Sequence, residues 1–223
     1  MKTEIKTTIY DIFGYLMPGY LLLAFLFVAF NFSTPGYDVL SQLTARVAAL
    51  DLYNAVLLTV AAYLLGHILS AMSGFLVETL LCKIPMIGDM FGERALLDKK
   101  LWELFLAKYK QLFQYKSEGD VYRLLSCYVE AKQPAVYATA FVFLAIYGMS
   151  RNFSLLVFIF AAWVLVGAIM RLDVTLFLYF VISFGTSALL FYNYLRFRQN
   201  FCRQLLHGFI LKEDGSDKPR RSK

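Results

Sequence analysis

The sequence predicts an all-α polytopic membrane protein with four transmembrane helices, cytoplasmic N- and C-termini and a small cytoplasmic helical insert. Three observations carry that prediction. First, five apolar runs, Ile12–Phe32, Ala55–Val77, Ala135–Met149, Ser154–Met170 and Val174–Leu195, contain no Asp, Glu, Lys or Arg. A helix needs about 20 apolar residues to cross the hydrocarbon core, so the first, second and fifth qualify alone. Second, basic residues are unevenly placed. The segment 83–132 carries nine Lys/Arg and the tail 196–223 eight, whereas loop 33–54 has only Arg46 against Asp38 and Asp51. The positive-inside rule puts the first two in the cytoplasm and the loop outside. Third, two cytoplasmic ends require an even number of crossings. Only Ser150-Arg151-Asn152-Phe153 separates the third and fourth runs, too little for a hairpin, so the two runs read as one long helix.

Taken in chain order, residues 1–81 hold the first transmembrane pair and a short periplasmic amphipathic loop. Asp11 caps the first helix, and Pro18-Gly19 predicts a kink about one turn in, because proline lacks an N–H and crowds the preceding turn. Within Asp38–Asp51, Val39, Leu40, Leu43, Val47 and Leu50 share one helical face, the pattern of a helix lying on the outer interface. The second crossing repeats Ala62, Gly66, Ser70 and Gly74 every fourth residue. Such a small-residue stripe lets helix backbones approach closely in lipid and marks either an intramolecular contact or an oligomer contact. His67 flanks the stripe and Glu78 ends it; as intramembrane ionisable groups they are candidate functional residues, as is Arg151.

Residues 82–134 form the cytoplasmic insert. Ile84-Pro85 and Gly88 break the chain, and a helix over Arg94–Tyr115 follows with Leu97, Leu101, Leu104, Phe105 and Leu112 on one face. Asp120 caps a shorter helix striped by Val121, Leu124, Leu125 and Tyr128. Lys99, Lys100, Lys108 and Lys110 give the insert a positive surface suited to a protein partner. Residues 135–195 comprise the long helix, begun at Pro134 and reaching from the cytoplasm into the membrane, and the last crossing. The helix's first half is apolar all round and has to be covered by the insert, by further copies of the chain, or by both. Arg151 is placed at the inner interface, its side chain snorkelling to headgroups. Residues 196–223 are a basic tail that ends in a stretch of disordered composition.

The reaction classes fare poorly. There is no HExxH, P-loop or GxGxxG, and Ala71-Met72-Ser73-Gly74 lacks the first glycine of the GxSG of rhomboid-type proteases. No catalytic, cofactor or metal residues are expected. Cys82, Cys127 and Cys202 have no CxxC spacing and read as reduced thiols. No nucleic-acid motif accompanies the tail, so no specific nucleic-acid partner is expected. The first apolar run is too long for a cleavable signal peptide. The sequons at Asn31 and Asn152 lie at or in the membrane.

Three stretches, Tyr10-Asp11-Ile12-Phe13-Gly14-Tyr15-Leu16-Met17-Pro18-Gly19, Tyr63-Leu64-Leu65-Gly66-His67 and Tyr147-Gly148-Met149-Ser150-Arg151-Asn152, together with size and layout, resemble small bacterial four-helix inner-membrane proteins of anti-phage defence loci, in particular the KwaA family of Kiwa systems. The resemblance covers those stretches and implies a homo-oligomeric membrane component that senses phage-induced perturbation and recruits a soluble partner. It assigns no residue roles. The expected function is thus a non-enzymatic inner-membrane sensor or scaffold whose partners are the lipid bilayer, other copies of itself and a cytoplasmic protein. A pore-forming effector using His67 or Glu78 is the first alternative, and a small carrier or lipid-handling protein the second. A carrier would ordinarily show inverted repeats, and none is evident.

Overall fold

A computed structural model of the chain describes residues 10–31, 37–83, 99–113 and 121–210. Among the described residues the fold is all-helical. Helix α1 (Met17–Asn31) follows a π-helical turn, Ile12–Leu16. Helix α2 (Tyr37–Ala48) is the short amphipathic segment. Helix α3 (Leu52–Gly74) begins at Asp51, whose side chain accepts the Asn54 N–H, and runs on into a second π-helical turn, Phe75–Leu80, and a short 3₁₀ turn, Leu81–Lys83. Helices α4 (Lys99–Phe113) and α5 (Val121–Lys132) form the insert. Two very long helices complete the chain, α6 (Pro134–Arg171) and α7 (Val174–Ile210).

Four helical stretches are long and apolar enough to cross a membrane: Ile12–Phe30, Leu52–Val77, Pro134–Arg171 and Val174–Ile210. The chain is a multi-pass membrane protein. Its outward faces agree with that, for Val56, Leu64, Ile68, Val166, Ile169, Phe177, Ile182 and Leu189 are each about half exposed or more. In water such a girdle would be a severe apolar surface, whereas in lipid it is matched. The α-helix is also the form that satisfies every backbone group internally at that depth.

The third and fourth apolar runs are one helix, as the spacing predicts. Helix α6 has 38 residues and α7 37, each about 55 Å long at 1.5 Å per residue, and the hydrocarbon core takes up only about 30 Å. They pack antiparallel and are joined by a tight turn. Leu172 adopts φ 50°, a left-handed conformation in which its N–H reaches the Ala168 carbonyl. Asp173 then caps α7 by accepting the N–H groups of Thr175 at 2.8 Å and Leu176 at 3.4 Å.

What the apolar runs do not foretell is the length of α7. The last run stops at Leu195, yet the helix continues through Arg196, Arg198 and Arg203 to Ile210. Its far end buries Cys202, Leu205, Leu206 and Phe209 with Phe105 and Tyr109 of α4, Leu125 and Val129 of α5, and Ala140 of α6. These four helix segments form a lobe beyond the membrane-length part of the bundle. Gly208 lets α7 close on the α5–α6 corner, since a Cβ there would lie 2.8 Å from Val136 Cγ1. Gln133, just before α6, donates from Nε2 to the Gly208 carbonyl at 2.7 Å. The apolar first half of α6 is therefore largely covered within one chain, and its bulk does not by itself call for further copies.

The buried face of α4 also departs from expectation. Phe105 and Tyr109 are buried with Trp102 beside them, whereas Leu104 and Leu112 are 57% and 45% exposed. Aromatic residues at i, i+3 and i+7 set the inner face, their rings packing on one another and, through Phe105, edge-on against Phe209 of α7. Asp120, Leu97 and the start of the predicted Arg94–Tyr115 helix lie outside the described residues, as do the side chains of Leu101, Lys99, Val121, Val39 and Leu40.

Candidate functional site: a buried polar layer centred on α6

Helix α6 is carbon-lined over most of its length, which makes the cluster Arg151, Asn152 and Ser154 conspicuous. Successive helical residues point about 100° apart, so Arg151 and Asn152 reach α3 and the first crossing while Ser154 reaches α7. Asn152 is fully buried. Its amide Nδ2 donates to the Gly14 carbonyl at 2.8 Å, and Ser73 of α3 donates its hydroxyl to Asn152 Oδ1. The Gly14 carbonyl needs such a donor because the residue four positions on is Pro18, which has no N–H. One side chain thereby ties the π-turn before α1, α3 and α6 together.

Ser154 completes the layer toward α7. Its hydroxyl donates to the Ser187 carbonyl at 3.0 Å, and the Ser187 hydroxyl donates back to the Ser154 carbonyl at 2.9 Å. This reciprocal clasp is buried on both sides. Arg151 does not extend outward to headgroups, as its interfacial position predicts. Its Nη2 lies 3.3 Å from both the carbonyl and the hydroxyl oxygen of Ser70. The guanidinium crosses to α3 because two acceptors and the open space over Gly74, whose position would place a Cβ 3.4 Å from Nη1, receive it there.

The small-residue stripe is engaged inside the chain. A Cβ on Gly66 would collide with the Tyr15 backbone, and one on Gly19 with the Ala62 backbone. Gly66 and Ala62 thus seat the first crossing on α3, while Ser70 and Gly74 face Arg151 of α6. The stripe marks close intramolecular packing, with Ala62 and Gly66 buried and Ser70 and Gly74 partly so.

His67 is exposed at the edge of this seam. Its ring stacks on Tyr15 with centroids 3.8 Å apart and meets Tyr63 edge-on at 4.5 Å. His67 belongs to α3 and Arg151 to α6, and their contacts differ: the His67 ring packs on Tyr15 and Tyr63, whereas the Arg151 guanidinium hydrogen-bonds Ser70. The side chain of Glu78 lies outside the described residues; its backbone belongs to the π-turn that ends the second crossing. Of the lysines, Lys100 and Lys110 are exposed on α4, whereas Lys108 is half-buried with its ammonium 5.5 Å from the centroid of Phe209. Lys108 is thus part of the lobe's packing.

Asn152, Ser73, Ser154 and Ser187 are the residues that sequence reasoning passed over. Asn152 reads as part of a spacer or of a discounted sequon. The available signal was the Arg-Asn-x-Ser cluster in an otherwise apolar helix: polar side chains at that depth require partners. Chemically, the arrangement holds helices in register, and its hydroxyls donate to carbonyl oxygens. No group of three or more potential metal ligands occurs among the described residues.

No family model, curated protein or solved structure matches the chain.

Proposed function

We propose that this chain is a non-enzymatic sensor or scaffold of the bacterial inner membrane, coupling the state of the bilayer to a cytoplasmic protein partner. The observation that supports this reading most is the continuity of α6 and α7. Each passes without a break from the turn at Leu172 through the polar layer into the lobe core. A change of tilt or spacing at bilayer depth is carried by such rods directly to the lobe, because packed helices shift as units. The charge distribution supports a cytoplasmic lobe and cytoplasmic termini. The setting in anti-phage defence rests on the resemblance of the three sequence stretches alone.

Within the lobe, Lys100 and Lys110 offer exposed positive charge for docking an acidic surface. Asn152, Ser73, Ser154 and Ser187 are hydrogen-bonded to one another or to helix carbonyls, which weighs against a conducting path through the single chain. Photo-crosslinking residues introduced at Lys100 and Lys110 in cells should capture one soluble protein reproducibly, and Lys100→Glu with Lys110→Glu should abolish capture while membrane insertion persists. Ion flux through liposomes containing only the purified chain, lost in Glu78→Gln, would replace this reading with a channel.

A further inference from the structure

A cavity of about 380 Å³ lies between the π-helical turn that follows α3 and the middle of α7, backed by α6. Leu76 and Val77 form one wall, Leu155 and Phe158 the back, and Phe184 and Ala188 the other wall. Toward the lobe it is closed by Val77 packing with Tyr194 and Leu195. Arg151, Ser154 and Ser187 also border it, yet their polar atoms are turned into the Ser70 contact and the serine clasp, so the surface presented to the cavity is almost wholly carbon. The size falls within the range of ordinary ligand pockets, about 300–1,000 Å³.

We propose that this cavity is a binding slot for one acyl chain of a bilayer phospholipid. Water has no polar partners there, and an empty slot forgoes the dispersion contacts of its lining. The slot is continuous with the lipid-facing surface, for Phe158 and Phe184 line it and are each also 49% exposed on the outside of the bundle. Its depth fits as well. Arg151 lies about 30 Å from the end of α6 at Arg171, close to the hydrocarbon thickness, so the slot opens at one bilayer boundary and extends inward along Leu155 and Phe158. A second copy of the chain fits less well, because a helix is too wide for a slot of this volume. The inference rests on the membrane-spanning reading and not on the partner.

The test uses the full-length chain in vesicles of phosphatidylethanolamine and phosphatidylglycerol containing a phosphatidylglycerol with a diazirine midway along one acyl chain. After irradiation, peptide mapping should show Leu155, Phe158 and Phe184 labelled several-fold more than Ile159 and Ile182 on the open faces of the same helices. Ala188→Trp, which fills the slot, should bring that labelling down to the open-face level, whereas Ile182→Trp should leave it unchanged. Should the Trp variant fail to insert, Leu155→Phe and the wild-type map decide. Equal labelling of slot and open faces, slot labelling unaffected by a filling variant that inserts, or slot residues shielded from lipid in a cross-linkable dimer would each overturn the assignment. Because no partner is present, failure here leaves the docking role of the lobe standing, and loss of partner capture leaves the slot standing.

Discussion

At the scale of single residues, Asn152 carries the most weight. Its replacement by Leu leaves the Gly14 carbonyl without its side-chain donor at bilayer depth, while the Ser73 hydroxyl keeps only the Ser70 carbonyl, 3.0 Å away. Unsatisfied buried groups cost about 1–3 kcal/mol, while hydrogen bonds measured between membrane helices average only about 0.6 kcal/mol. Asn152→Leu should therefore lower stability by about 1–2 kcal/mol, seen as a lower midpoint on unfolding in mixed detergent micelles. Adding Ser73→Ala to it should cost little more, since the two side chains act as a pair. The turn between α6 and α7 offers a simpler case. Asp173→Ala removes the cap of α7 and should destabilise by about 1 kcal/mol in the same assay. The cap is readable from Arg171-Leu172-Asp173 as a short connection. That Leu172 would take a positive φ is not, because only the geometry of the closed hairpin demands it.

Glycines make the clearest test among the elements. Gly66 meets the Tyr15 backbone so closely that even a methyl group is excluded, whereas at Gly185 nothing lies within 4 Å of an added Cβ. Gly66→Ala should force α3 off the first crossing and lose more than the roughly 1–3 kcal/mol of ordinary overpacking. Gly185→Ala should be neutral or gain up to about 1 kcal/mol from helix propensity. Thermal midpoints of the purified variants compare the two directly. A converse outcome would show that the first crossing does not sit on α3 as described. The crossings and the fused α6 were legible because apolar run length is set by the bilayer itself. The extension of α7 was obscured by Arg196, Arg198 and Arg203, which end the run but not the helix. Leu195, Cys202, Leu205, Leu206 and Phe209 nevertheless recur at helical spacing on one buried face. Leu205→Ala, at a fully buried site in the lobe core, should cost about 2–5 kcal/mol and loosen the lobe, read as faster amide exchange in α4 and α5.

For the whole molecule, a membrane bundle and a lobe share two uninterrupted helices, and the polar layer pins the first crossing, α3 and α7 onto one of them. Local composition showed where lipid and water begin. It could not show that the lobe's core is built from the two ends of the chain's last hairpin, since that depends on contacts between residues far apart in sequence. Coupling of the bilayer to the lobe requires α6 to be one rod through Ser150-Arg151-Asn152-Phe153, where the apolar runs break. Spin labels at Thr139 and Ala162, in a background where the native cysteines are replaced, measure this across that break by electron–electron distance. An unbroken α6 gives a single narrow distribution near 35 Å, the rise of a continuous helix, identical in thin and thick bilayers. A broad or two-peaked distribution, or one that changes with bilayer thickness, would place a hinge at the polar layer and contradict rigid coupling of the bilayer to the lobe.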